Sequence, residues 1–187
     1  DWIWIKNRTD AENHSATDSV RGVGKGVLPN SADAESNNNS NGYLASFDSD
    51  GFTTANAGAY NNADEKNYVS WNWKSGSAFS NDASSTSIGS IDSAGIFNND
   101  AGFSICTYTG TGSAGTIKHG LNTVPKMIIL KGRSEAKAWT VYHNALGAGK
   151  SMALATNAAA VTNSTYWGGT EPTSSVFSTG SSTNVSG

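Results

Sequence analysis

Cysteine is almost missing from this chain. Cys106 is the single one in 187 residues, so no internal disulfide staples the fold. Its strand neighbours Ser104 and Tyr108 supply none of the positive charge that activates a thiol, so it reads as a small core residue. Charge is scarce too: 14% of residues, against about 25% in ordinary globular proteins. Twelve Lys and Arg against fifteen Asp and Glu give a net charge of −3 with no basic cluster. That excludes the cationic stripe which displaces counterions from nucleic acid. No apolar run approaches about 18 residues, so no helical membrane span is encoded. An initiator Met and a signal peptide are both missing, and the chain opens in mid-strand at Asp1. The expectation is a segment of a longer polypeptide.

In place of charge stand Ser, Thr, Asn, Gly and Ala. Such a composition alone would suit disorder, but six Trp, six Tyr and six Phe argue otherwise. Disordered chains are poor in aromatics and cannot offset their ordering entropy. The class expected is all-β and loop-rich, built as β-sandwich or jelly-roll-like modules.

The stretch from Gly102 to Arg133 shows the pattern most clearly. Phe103, Ile105 and Thr107 alternate with Ser104, Cys106 and Tyr108, the period of a half-buried strand. Glycines 110, 112 and 115 turn into a second strand at Thr116–Lys118. Met127-Ile128-Ile129-Leu130 is a continuous apolar run, which predicts a third strand buried on both faces. At the N-terminus, Trp2 and Trp4 face one way and Ile3 and Ile5 the other. Two apolar faces predict a central strand. Tyr68 to Lys74 alternates most sharply, with Val69, Trp71 and Trp73 on one face. Two indoles on one face suit either a core or a sugar-stacking surface, and the core is expected because each buries about 150–250 Å².

The loops carry no recognisable chemistry. Gly22-Val23-Gly24-Lys25 lacks the GxxxxGK[ST] spacing and the following helix of a phosphate loop, since Leu28-Pro29 comes next; it predicts a hairpin turn. Asp48-Ser49-Asp50-Gly51 lacks the later acidic ligands of a calcium loop and predicts another. Residues 75–101 are rich in Ser, Gly, Asn and Asp and are expected to be a linker with one short strand. His14 and His143 are expected to be satisfied structural histidines. Tyr166-Trp167-Gly168-Gly169 is a loop with two aromatics and is the expected exposed contact.

The chain also resembles itself. At an offset of 125 residues, Trp2 to Arg8 meets Met127 to Arg133, Gly22 and Gly24 meet Gly147 and Gly149, and Phe52 meets Phe177. The matches fall on Ile3, Ile5, Arg8, Ile128, Leu130 and Arg133 and on turn glycines, which are architectural positions. The predicted organisation is a first β-module over 1–76, incomplete at its start, a linker over 77–101, and a second over 102–187, incomplete at its end. The second shows no counterpart of Tyr68–Lys74.

The motifs G-F-S-I-x-x-Y-T-G from Gly102, I-x-H-G-L from Ile117, P-x-x-I-I-x-K-x-R from Pro125 and W-x-V-Y-H-x-x-L-G from Trp139 resemble modules repeated in bacteriophage tail-fibre-like and other virion structural proteins, notably of marine phages. Trp4-Ile5-Lys6-Asn7-Arg8, Ser46–Phe52 and Trp71-Asn72-Trp73-Lys74 resemble them as well. The resemblance implies an oligomeric appendage module without catalysis: a tail fibre, or a decoration of the capsid or tail. Its implied partners are further copies of itself, as a trimer or filament, other virion proteins, and a host-surface glycan. The loops at 30–42, 55–66 and 163–173 would make the contacts. The alternative is a carbohydrate-binding module of a secreted or cell-surface protein. An enzyme is not expected. Of the carboxylates only Glu135 and Glu171 lie near aromatic strands, and neither sits in a motif. No cofactor or metal site is expected either.

Overall fold

The computed structural model describes residues 1–186. The fold is all-β and sandwich-like, made of several small antiparallel sheets. The chain forms two compact units. One comprises residues 1–74 with 133–136, the other residues 75–132 with those from 137 onward.

The first unit contains β1 (Trp2–Asn7), β2 (Ser15–Asp18), β3 (Lys25–Gly26), β4 (Ser36–Asn37), β5 (Leu44–Phe47), β6 (Phe52–Thr54) and β7 (Tyr68–Trp73). β1 is central, as its two apolar faces predict, with β2 and β7 antiparallel on either side. β5 and β6 form the expected hairpin, closed by the Asp48 N–H donating to the Gly51 carbonyl at 2.9 Å. Gly22 and Gly24 hold φ of 95° and 79° in the turn before β3, a conformation that suits residues without a Cβ. Ile3 and Ile5 pack on Leu44, with Phe47, Phe52 and Tyr68 around them. Asn7 ends this buried face at 1% exposure, and both ends of its amide are used. Its nitrogen donates to the Ala59 carbonyl and the Tyr68 hydroxyl; its oxygen accepts from the N–H groups of Thr9 and Asp10. A buried amide without those partners would cost about 1–3 kcal/mol.

The second unit contains β8 (Ser77–Asn81), α1 (Ala83–Thr86), β9 (Ser93–Asn98), β10 (Phe103–Tyr108), β11 (Gly115–Lys118), β12 (Met127–Leu130), β13 (Thr140–His143), β14 (Lys150–Ala153), β15 (Val161–Thr162), β16 (Val176–Thr179) and α2 (Thr183–Ser186). Its sheets run β10-β9-β8, β11-β16 and β12-β13-β14-β15. Ile91, Ile117 and Phe177 make one core cluster, and Tyr142, Ala148 and Trp167 another. Ile128 and Leu130 pack against both. Cys106 borders the first, as expected of a small core residue, and burial pushes its thiol up to about 12.

Two expectations are corrected. Residues 75–101 are not a linker with one short strand: β8 and β9 lie there and form a sheet with β10. Side-chain hydrogen bonds do the work that apolar residues would do elsewhere. Asn81 is 2% exposed; it donates to the Ile88 carbonyl and accepts from the Thr86 hydroxyl. Asp82 caps α1 through the N–H groups of Ser84 and Ser85. The three strands expected in the 102–133 stretch are present, each paired outside it: β10 with β9, β11 with β16 and β12 with β13. Second, β12 is not buried on both faces. It is an edge strand, and Met127 is exposed.

Candidate functional site

The alternation of β1 and β7, combined with their register, builds one feature. Trp2 stands opposite Trp73, and Trp4 opposite Trp71. Opposed residues of an antiparallel pair point to the same face. The result is a ladder of four indoles on the face away from Ile3 and Ile5. The ring centroids of each pair are 5.9 Å apart, tilted by 52° for Trp2–Trp73 and by 64° for Trp4–Trp71. Trp71 is 45% exposed and Trp73 39%. These two were expected in the core and are corrected here: Tyr68, on the opposite face of β7, packs toward the core instead.

His14 extends the ladder. Its ring lies 5.8 Å from that of Trp4, and the Trp4 indole N–H donates to its Nδ1 at 2.9 Å. Nδ1 therefore carries no proton in this contact. Burial, and secondarily the Lys6 ammonium, hold the His14 pKa below the ordinary histidine value, so the ring is neutral at pH 7. An open cleft of about 510 Å³ lies at the end of this strand pair, lined by Ile3, Phe52, Asn72, Asp48, Asp50 and Lys74 among others; Ile3 and Asn72 stand opposite each other on the face away from the indoles, so the cleft belongs to that face and not to the ladder. Asp48 accepts hydrogen bonds from the hydroxyls of Ser46 and Thr53, both at 2.8 Å. The cleft offers an ammonium, an amide and carboxylates beside the apolar Ile3 and Phe52.

A second polar cluster lies in the same unit. Arg21 pairs with Asp18 and with Glu35, and Arg133 holds both oxygens of Glu35 at 2.9 Å. The side chains of Asp18, Arg21 and Glu35 are under 10% exposed, whereas that of Arg133 is 43% exposed. Burial alone would raise the Glu35 carboxyl. Hydrogen bonds from Arg133 and Arg21, with their charges, outweigh it and hold the carboxyl below its usual range. Every carboxylate here faces a guanidinium, so the cluster is structural.

The exposed contact expected at Tyr166-Trp167 is corrected. Trp167 is 1% exposed, packed edge-on against Tyr142 at 5.7 Å between centroids. Its loop folds back because Gly168 and Gly169 take φ of 63° and 64° and the Gly180 N–H donates to the Tyr166 carbonyl. Tyr166 is half-buried against the same cluster. Glu171 accepts from the Tyr142 hydroxyl and the Ala148 N–H, a structural role. Of the repeat-defining positions, Ile3, Ile5 and Phe177 are buried, Phe52, Phe103, Ile105, Ile128 and Leu130 are half-buried, and Gly147 is a positive-φ turn glycine like Gly22. Gly149 ends the same turn. Arg8 and Arg133 are exposed, and Arg133 is the one held by Glu35. The sequence did carry a signal for the ladder, namely Trp-x-Trp occurring in both strands, but not that the two would be paired.

A family model described as a domain of unknown function, DUF7483, matches residues 1–187, and the chain belongs to that family. No curated protein and no solved structure matches it.

Proposed function

We propose that this chain is a non-enzymatic adhesive module that holds a glycan on the tryptophan ladder of its first unit. The observation that carries the reading is the half-exposed row Trp2–Trp73 and Trp4–Trp71. Indole faces are electron-rich, and the axial C–H bonds of a pyranose ring present a matching positive, apolar surface. On the same face, the neutral His14 ring beside Trp4 accepts the indole N–H at Nδ1 and so carries its proton on Nε2, a donor for a hydroxyl. A low charge density and a β scaffold with long polar loops suit an extracellular contact surface. The sequence resemblance to phage appendage modules suggests the setting: a virion part, oligomeric, attaching to the host surface. The same ladder would serve a carbohydrate-binding module of a secreted or cell-surface protein, and mass spectrometry of purified particles separates the two settings.

The test is a glycan array followed by titration calorimetry on any hit. Trp71→Ala and Trp73→Ala should each weaken binding by roughly tenfold, the scale of one lost aromatic contact, with little change in Tm. Absence of glycan binding, or binding indifferent to both substitutions, rejects the ladder as a sugar site.

A further inference from the structure

The two units contain the same ladder of pairings. On β1 and β2 the partners are Trp2–Asp18, Ile3–Thr17, Trp4–Ala16 and Ile5–Ser15. On β12 and β13 they are Met127–His143, Ile128–Tyr142, Ile129–Val141 and Leu130–Thr140, each displaced by 125 residues. Ala16–Val27 recurs as Val141–Met152. Lys25–Asn37 and Gly26–Ser36 recur as Lys150–Thr162 and Ser151–Val161. Even the flanking bonds repeat: Ser19 N–H to Asp1 carbonyl and Asn144 N–H to Lys126 carbonyl, both at 2.9 Å. One partner does not recur. β1 carries β7 on its far edge, whereas among the described residues β12 pairs with β13 alone.

Backbone groups in an antiparallel pair point alternately to one side and the other. The Asn144–Lys126 bond sets the phase on β12. Ile128 and Leu130 direct their N–H and C=O toward β13; Met127 and Ile129 direct theirs toward the open edge. On β1 the Arg8 N–H donates to the Asn67 carbonyl at 2.7 Å, and the same alternation turns Trp2 and Trp4 toward β7. The backbone groups that β7 satisfies on β1 are therefore the ones left open on β12. Side chains follow suit. Ile128 and Leu130 are in the core, and Met127 is 55% exposed on the opposite face.

We infer that the open edge of β12 accepts an added antiparallel strand of the β7 pattern, an extended peptide segment with aromatic residues at alternate positions. The register follows from the first unit. Aromatic residues of the incoming strand stand opposite Met127 and Ile129, as Trp73 and Trp71 stand opposite Trp2 and Trp4. A lysine at the end of an edge strand commonly blocks such pairing, but Lys131 corresponds to Lys6, which is paired with Val69 of β7. Strand addition of this kind takes its affinity from main-chain hydrogen bonds and its specificity from alternate side chains.

The probe is a synthetic peptide with the sequence of residues 66–74, titrated into the isotope-labelled full chain. The expected result is saturable NMR shifts over Met127–Leu130, with the Met127 and Ile129 amides gaining protection from hydrogen exchange. N-methylation of the peptide at its Trp71 and Trp73 positions removes the donors that face β12 and should weaken binding at least about tenfold. N-methylation at its Ser70 and Asn72 positions should leave binding unchanged. No saturable shift at Met127–Leu130, shifts confined to β1, or equal losses from the two methylation patterns would overturn the inference.

Discussion

Trp167 and Trp71 are the same residue type with opposite fates: 1% exposed against 45%. Trp167 fills a cluster with Tyr142 and Ala148, so Trp167→Ala should destabilise the protein by about 3–5 kcal/mol. Chemical denaturation measures this, and a change below about 1 kcal/mol would contradict the packing. Trp71 meets Trp4 edge-on and leaves nearly half of its surface to water, which makes it available for a ligand. Glu35 gives a pH signature. Its carboxyl pKa is lowered in the fold, so its contribution is complete above the unfolded value of about 4.3 and is lost as pH falls through the folded value. Glu35→Gln should cost about 1.5–3 kcal/mol at pH 7, the scale of a charged hydrogen bond, with solvent screening part of the half-exposed Arg133 pair. The gap between wild type and Glu35→Gln should close as pH drops toward 3. A gap that stays constant with pH would show that the carboxylate charge is not involved.

At the scale of elements, Gly95 decides whether the β8-β9-β10 sheet forms. A Cβ there would come within 2.0 Å of the Ile105 carbonyl oxygen and 2.8 Å of the Cys106 Cα. Both obstacles are backbone of the neighbouring strand and cannot swing aside. Gly95→Ala should therefore push β9 from β10 and destabilise by about 1–3 kcal/mol, with hydrogen exchange accelerated across Phe103–Tyr108. Unchanged exchange there would mean that the strands can part without loss. This sheet was also the element least legible in the sequence. Strands are recognised by alternating apolar residues, and β8 and β9 offer few. They are held to each other by the backbone ladder and the Phe79–Phe97 contact, while Asn81, Asp82 and Ser93 tie their ends to neighbouring turns and strands, a pattern indistinguishable in one dimension from a polar loop. β1, β7, β10 and β13 were legible because their period of two is written in Ile, Trp, Phe and Val.

Across the whole molecule, Asp18 and Glu35 serve ion pairs, Asp48 a turn and Asp82 a cap. Among the described residues no group of three or more His, Cys, Asp or Glu is arranged to hold a metal ion. A chelator should accordingly leave Tm unchanged, and a fall of several degrees in a thermal scan would reveal a site. The sequence by itself determined the all-β class, the turn glycines, the central place of β1 and the alternation that segregates Trp from Ile along it. These are local properties, set by the strand period and by residues that tolerate positive φ. The tertiary structure alone decided which side of each alternation meets water, that Trp-x-Trp of β1 lies across from Trp-x-Trp of β7, that Trp167 is buried, and that Glu35 meets Arg133. Burial and pairing depend on which distant segment arrives at a face, and strand periodicity carries no record of that arrival.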